Sequence, residues 1–240
     1  MQSALYVGIS AQVALQDRVD VIAQNVANGD TAGYRGTEAK FDTVLSNLSA
    51  DPVSFATSNG QIVSQMPGAL SKTGNPLDVA VKGSGWLSVV TAQGPIYTRD
   101  GRMKINQGGT LVTLNGAPLL DAGGAQIQLD VSGGAPDIGA DGGVKQGGKL
   151  IGALGLYSLP PDAKLSRVEG GVASSVPGTP VADYSKNGVV QGFVEQSNVN
   201  PIMEITHLVY AQRAFEGVSA AIQSVETSFK NAIQTIGSST

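Results

Sequence analysis

The feature that most constrains this chain is a pair of apolar seams at helical spacing. One lies at each end, and the long segment between them has no helical period. Over residues 3–28 the seam runs Leu5, Ile9, Gln12, Leu15, Val19, Ile22 and Val26. Over residues 202–236 it runs Ile205, Leu208, Gln212, Phe215, Val218, Ile222, Val225, Phe229, Ala232 and Ile236. Steps of three and four residues put such side chains on one face of an α-helix, as in a coiled coil or bundle. The punctuation agrees. Gly29, after Asn28, takes positive φ without steric cost and suits a helix C-terminus. Asn200 is a good N-cap, Pro201 suits the first helical position, and Glu204 in the first turn complements the helix dipole. The second helix would be a rod of about 50 Å. A helix of this kind needs a partner for its apolar stripe, because isolated helices are marginal in water.

Between the helices, Gly, Pro, Asn and Asp punctuate short runs of β-formers: Leu77–Val81, Trp86–Thr91, Ile96–Arg99, Met103–Ile105, Leu111–Leu114, Ile127–Val131, Gly152–Tyr157 and Val189–Val194. Asp100-Gly101 and Asn115-Gly116 are tight hairpin signals. Residues 132–148 hold seven glycines and read as a loose loop. The expected fold is therefore α+β. Long terminal helices pack as a coiled coil or bundle and flank an antiparallel β-rich middle. The division is 1–36 for the first helix and the loop after it, 37–72 for a linker with a short helix and extended segments, 73–195 for the β-domain and 196–240 for the second helix.

Composition narrows the function. Hydrophobic residues make up 41% of the 240 and charged residues only 14%, enough to bury a core while leaving a surface suited to packing on copies or relatives. The net charge is −4 and no Lys/Arg cluster exceeds two residues, which argues against a nucleic-acid groove. No apolar run is long enough to span a membrane. The segment Met1–Gly8 lacks the parts of a cleaved secretory signal. There is no cysteine and one histidine, His207, so a zinc site is close to excluded.

The motifs that mimic chemistry fail on inspection. Gly83-Ser84-Gly85-Trp86-Leu87-Ser88 begins like a dinucleotide fingerprint but leads into a strand, and reads as a strand-entry turn. Gly143–Leu150 approaches a phosphate-binding loop, with Leu150 where a magnesium-holding hydroxyl is needed. Asp137, Asp141 and Gly142 have partial EF-hand spacing, with Gly148 at the position of the closing Glu. His207 reads as a surface or interface residue, and no catalytic, metal or cofactor residue is assigned. Gln12 and Gln212 are polar positions in apolar seams, the device that fixes register in coiled coils, unless they face solvent. A secreted enzyme or adhesin on a helical stalk would instead need a pocket of convergent polar groups.

Two segments carry a resemblance. Asn25-Val26-Ala27-Asn28-Gly29-Asp30-Thr31-Ala32-Gly33-Tyr34-Arg35 resembles the signature that closes the first helix in the flagellar rod and hook proteins, with Gly29 where many members carry Ala. Ser197-Asn198-Val199-Asn200-Pro201, followed by Gln212-Arg213-Ala214-Phe215-Glu216, resembles the family's second signature and its long helix. Gly74–Trp86 and Tyr97–Gly101 are similar to the rod-type β-domain. The opening Met1–Gly8 and the compact length are more like a proximal-rod member than its distal-rod or hook-type siblings.

The resemblance implies a structural subunit of the proximal rod, a helical hetero-polymer crossing the periplasm as the drive shaft of the basal body. It implies the helix seams as subunit interface, and Asn25, Asn28, Thr31, Gly33, Tyr34, Ser197, Asn198, Asn200 and Pro201 as signature residues. Partners would be other rod subunits and the flagellar type III export apparatus, which passes its cargo without cleavage. Phe41 and Leu45, four apart on a helical turn, resemble the motif that rod and hook cargo present to the export gate. The terminal helices are expected to be poorly ordered in the free subunit and to fold on assembly.

Overall fold

The computed structural model describes residues 2–46, 53–92, 94–184 and 186–237. The chain forms two compact units. The first comprises Met1–Ala27, Thr37–Ile62 and Asn200–Thr240, and the second Asn28–Gly36 and Val63–Val199. The loop 28–36, expected to go with the first helix, thus packs with the β-domain.

In the first unit, helix α1 spans Gln2–Ala27 and helix α2 spans Pro201–Gly237, each within a residue or two of the seam-based expectation. The α2 start is built as expected. Asn200 Oδ1 accepts the backbone N–H groups of Ile202 and Met203, which have no partner inside the helix. The helices pack against each other antiparallel. Gln12 Nε2 donates to Ser219 Oγ at 3.1 Å. A side chain at Gly8 would sit 2.9 Å from Ile222, so glycine permits close approach there. Strands β1 (Thr37–Ser46) and β2 (Val53–Val63) form a two-stranded sheet in this unit. This corrects the expected short helix around Phe41. Thr37, Phe41, Thr43 and Val44 are β-branched or aromatic residues that favour a pleated strand over a helix.

The second unit is an antiparallel β assembly. Strands β3 (Leu70–Lys72), β4 (Val79–Lys82), β5 (Trp86–Thr91) and β6 (Gly94–Thr98) are followed by the paired strands β7 (Met103–Ile105) and β8 (Leu111–Thr113). Strands β9 (Asp137–Ile138), β10 (Gly143–Gln146) and β11 (Lys149–Ala153) form a three-stranded sheet. The largest sheet adds β12 (Leu156–Ser158), β13 (Leu165–Val168), β14 (Gly171–Ser174) and β15 (Thr179–Pro180) to the β5–β6 hairpin, in the order β13-β14-β6-β5-β12-β15. Strand β16 (Gly188–Gln191) then pairs with β4, and β17 (Phe193–Glu195) with β3. A core of Val79, Leu87, Leu111, Val144, Leu154 and Leu156 fills the interior, and Trp86, Tyr97, Leu165 and Val172 form a second cluster.

Several local expectations are corrected here. The glycine-rich stretch 132–148 contains β9 and β10, because Ile138 and Val144 are core residues. The Gln146 amide secures the preceding loop, accepting from Asp130 N–H and donating to the carbonyls of Asp130 and Gly134. Gly147 and Gly148, both at positive φ, make the tight β10–β11 turn, so the segment 143–150 is a hairpin and not a phosphate loop. Asn115-Gly116 turns as predicted, with Gly116 at φ 89°. Asp100-Gly101 does not make a hairpin. The chain there crosses to β4, where Val79 N–H donates to Gly101 O at 3.0 Å. The run Ile127–Val131 is held by separate backbone bonds, not a continuous ladder. Positive φ at Gly192 separates β16 from β17. Among the described residues, no helix is long and apolar enough to cross a membrane.

A Cβ at Gly101 would lie 1.9 Å from Val79 O. Gly101→Ala should therefore destabilise the chain by about 2 kcal/mol or more, read by urea unfolding. An effect below ~0.5 kcal/mol would mean the crossing relaxes freely.

The signature junction and the helix faces

The two signatures meet in space, and they do so through buried polar groups. In the second unit, the loop 28–36 runs beside residues 195–198. Gly33 N–H donates to Glu195 O at 2.7 Å, and Asn198 N–H to Tyr34 O at 3.2 Å. Gly33 adopts φ +68°, and a Cβ there would lie 2.1 Å from Asp100 N, so both conformation and space require glycine. Thr31 closes the turn by donating to Asn28, from its N–H to the carbonyl and from its hydroxyl to Oδ1. Asn198 uses its whole amide. Its Oδ1 accepts Gly36 N–H at 2.6 Å, and its Nδ2 donates to Ser64 Oγ and Met66 O. Ser197 Oγ accepts Val199 N–H and shapes the turn ahead of α2.

Beneath this backbone bridge lies a charge triad. Glu195 is 1% exposed, as is Arg35, and Arg99 is 2% exposed. The Glu195 carboxylate lies 2.7 Å from Arg35 Nη2 and 3.0 Å from Arg99 Nη1. It also accepts Gly68 N–H at 3.0 Å. Arg35 donates further to Gln65 O, and Arg99 to Val81 O and Gly83 O. Both guanidinium groups lie near the ring of Trp86, at 5.5 and 5.3 Å from its centroid. The ring's electron-rich face attracts cations at this range. That contact offsets the two Nε–H groups of Arg35 and Arg99, which have no hydrogen-bond partner. Burial pulls both arginines below the ordinary guanidinium range, Arg99 to about 10, against the opposing pull of Glu195. At about 10, Arg99 remains cationic at neutral pH. Arg167 lies over the Tyr34 ring at 4.0 Å and donates to Arg35 O, which covers the loop from the β13 side.

In the first unit, Asn25 makes a separate clasp. Its amide exchanges two hydrogen bonds with the Thr37 backbone, at 2.8 and 2.9 Å, and Nδ2 reaches Glu204 Oε2 at 3.3 Å. The end of α1, the start of β1 and the first turn of α2 are thereby joined. His207 Nδ1 lies 3.5 Å from the other oxygen of Glu204 and is half-exposed.

The seam residues divide. Ile22 is buried, with Leu5, Gln12, Leu15, Val19, Val26, Leu208, Phe215, Val218, Ile222 and Val225 part-buried. Ile9, Ile205, Gln212, Phe229 and Ile236 are exposed. Gln12 makes an interhelical bond, whereas Gln212 faces outward and fixes no register within the chain. Ala14, Val21 and Ala211, which the seams omit, are buried. Phe41 is exposed on β1; Leu45 is on the same strand, and its side chain is outside the described residues. On a strand these positions share a face but stand about 13 Å apart, not one helical turn apart.

The junction residues Arg99, Glu195 and Trp86 were not singled out from the sequence as a site. Arg35 and Arg99 lay inside quoted motifs, but no periodicity links residues 35, 99 and 195.

Comparison with known proteins agrees with this arrangement. A family model described as "Flagella basal body rod protein" matches residues 5–35, "Flagellar hook protein FlgE/F/G D1 domain" matches 80–146, and "Flagellar basal body rod FlgEFG protein C-terminal" matches 190–235. Helices at both ends, a β-rich middle and the joined signatures define an axial protein of the flagellar rod and hook class. Curated relatives narrow this. The flagellar basal-body rod protein FlgF of Mesorhizobium japonicum is 46% identical over 99% of both chains, and that of Rhizobium meliloti 43% over the full length of both. The rod protein FlgG of Bacillus subtilis is more distant, 30% identical over 92% of this chain and 94% of its own. The chain belongs to the FlgF family of flagellar basal-body rod proteins, whose members are structural subunits of the rod.

Asn198→Ala removes the acceptor of Gly36 N–H and two donated bonds. It should cost about 2–3 kcal/mol in urea unfolding of the full chain. A loss near zero would mean that water replaces the amide.

Proposed function

We propose that this chain polymerises with other rod subunits through faces of its terminal helices that remain open in the single chain, and that it does no chemistry. The observation that carries the reading is the apolar surface of α2. Over its first three turns Ile202, Met203, Ile205, Val209 and Tyr210 are exposed, Ile202 by 76% and Tyr210 by 65%, with Ile202, Ile205 and Val209 on the side opposite the buried Ala211. A soluble helix normally presents polar residues there. The far end is open as well, with Phe229, Ile233 and Ile236 exposed. The contacts Gln12–Ser219 and Gly8–Ile222 set the start of α1 level with about Ser228, so the last turns of α2 run roughly 13 Å beyond it. On α1, Tyr6, Ile9 and Val13 are exposed. Fully burying one such side chain is worth about 1.5–3 kcal/mol before the entropic cost of ordering a subunit. A head-to-tail contact that does not close into a ring generates a helical filament.

The remaining parts of the reading rest on the resemblance of Phe41 and Leu45 to the export motif of rod and hook cargo. The subunit would reach the periplasm through the flagellar type III apparatus without cleavage, with Phe41 and Leu45 as a recognition element read in an extended conformation. Segments that pass through such a route unfolded can be recognised before β1 forms. The terminal helices would be only partly ordered in the free subunit and completed on assembly.

Two measurements check this. A deletion strain complemented with I202E/V209E should be non-motile with truncated rods, while the purified variant keeps its unfolding free energy within about 0.5 kcal/mol. Normal motility with that variant would refute the assembly face. Separately, Phe41→Ala should lower export of the subunit with its stability unchanged. Normal export with defective assembly would assign Phe41 to the rod alone.

A further inference from the structure

The Arg35–Glu195–Arg99 triad is not required by either helix face, and it is an expensive way to build a core. Replacing a buried ion pair by apolar residues of similar size often leaves a protein as stable or more so, whereas removing one partner is strongly destabilising. The triad joins three segments far apart in sequence: the loop that follows α1, the end of β6, and β17 just ahead of α2. Its carboxylate also holds Gly68 N–H, and the backbone beside it carries the Gly33–Glu195 and Asn198–Tyr34 bonds. Two cations sit on one anion, so the site tolerates the absence of neither Glu195 nor its charge.

We infer that the triad, seated on Trp86, is a conformational latch: the loop 28–36 docks on the β-unit only when the Glu195 carboxylate is in place, and the segments that lead out of α1 and into α2 are fixed in one step. Without the carboxylate, docking the loop would bury Arg35 beside Arg99 with no counter-charge. The undocked state, with Arg35 in water, then becomes the favoured one. The core around Leu111, Val144 and Leu154 does not share this dependence, because it is apolar, with Leu111 and Val144 in strands that do not contain triad residues and Leu154 just after β11. The latch therefore makes local order at the junction conditional on a residue 160 positions from the loop it holds. This inference does not rest on polymerisation.

The test uses the full-length chain and hydrogen–deuterium exchange, with fluorescence of Trp86, the only tryptophan, as a second readout. In E195Q the amides of Gly33, Gly36, Gly68 and Asn198 should lose protection on the order of a hundredfold, and Trp86 emission should shift to the red. The amides of Leu111 and Leu154 should keep theirs. R99M/E195Q returns the buried charge to its native net value, and should recover part of the lost protection at the four junction amides. The inference is overturned by an even loss that includes Leu111 and Leu154, by unchanged exchange at the four amides, or by a double variant more exposed at the junction than E195Q. If E195Q does not fold, the double variant decides. Folding with native protection at Leu111 and Leu154 and partial protection at the junction supports the latch, and failure to fold overturns it.

Discussion

One carboxylate between two buried guanidinium groups decides how the chain closes on itself. A buried cation without a counter-charge costs several kcal/mol, so Arg35 and Arg99 can leave water only together with Glu195. Trp86 supplies a polarisable floor for both cations. Once the charges are placed, the backbone beside them has no freedom left. Gly33 must pass within van der Waals reach of Asp100, and its N–H meets the carbonyl of Glu195 itself. The signature residues Gly33, Tyr34 and Asn198 are thus explained by a neighbouring ion cluster that none of them belongs to.

The two units are held by different kinds of contact. The β-unit seals a charge cluster inside, while the helices leave apolar side chains exposed along their length. Each choice suits a different task. Apolar area is non-directional and adds up across whatever partner covers it, so it suits a surface that repeats along a polymer. Buried hydrogen-bonded charge tolerates little misplacement, and it suits a joint that must form in one geometry. The Asn25 clasp applies the second principle at small scale within the helical unit, where one amide satisfies both backbone groups of Thr37.

How much of this was legible follows from the range of each signal. The helices could be read to within a residue or two, because a seam repeats every turn and Asn200 and Pro201 mark a start by local chemistry alone. The tight turn at Asn115-Gly116 was legible for the same reason. Asp100-Gly101 has the same composition and a different outcome, since a contact with Val79, about twenty residues earlier, takes up the backbone that a hairpin would have used. The glycine-rich stretch hid β9 and β10 because only Ile138 and Val144 point to the core there. The triad was the least legible feature. An arginine, an arginine and a glutamate at positions 35, 99 and 195 form no period, and each looks like an ordinary surface charge until the fold brings them together.

The lengths of the two helices carry the argument one step further. Helix α1 has 26 residues and α2 has 37, so an antiparallel pair of them cannot cover its own apolar surface. Where the excess falls is not left to chance. Asn25 and Glu204 fix the pair at the end nearest the β-unit in sequence, and every unmatched residue of α2 is therefore pushed to its C-terminal end. The Gln12–Ser219 bond and the Gly8–Ile222 contact hold the same register further along the pair. Fixed as it is, the surplus of Phe229, Ile233 and Ile236 always emerges at the same place. A buried amide at one end of a helix pair thus sets which apolar side chains the other end must offer to a neighbour.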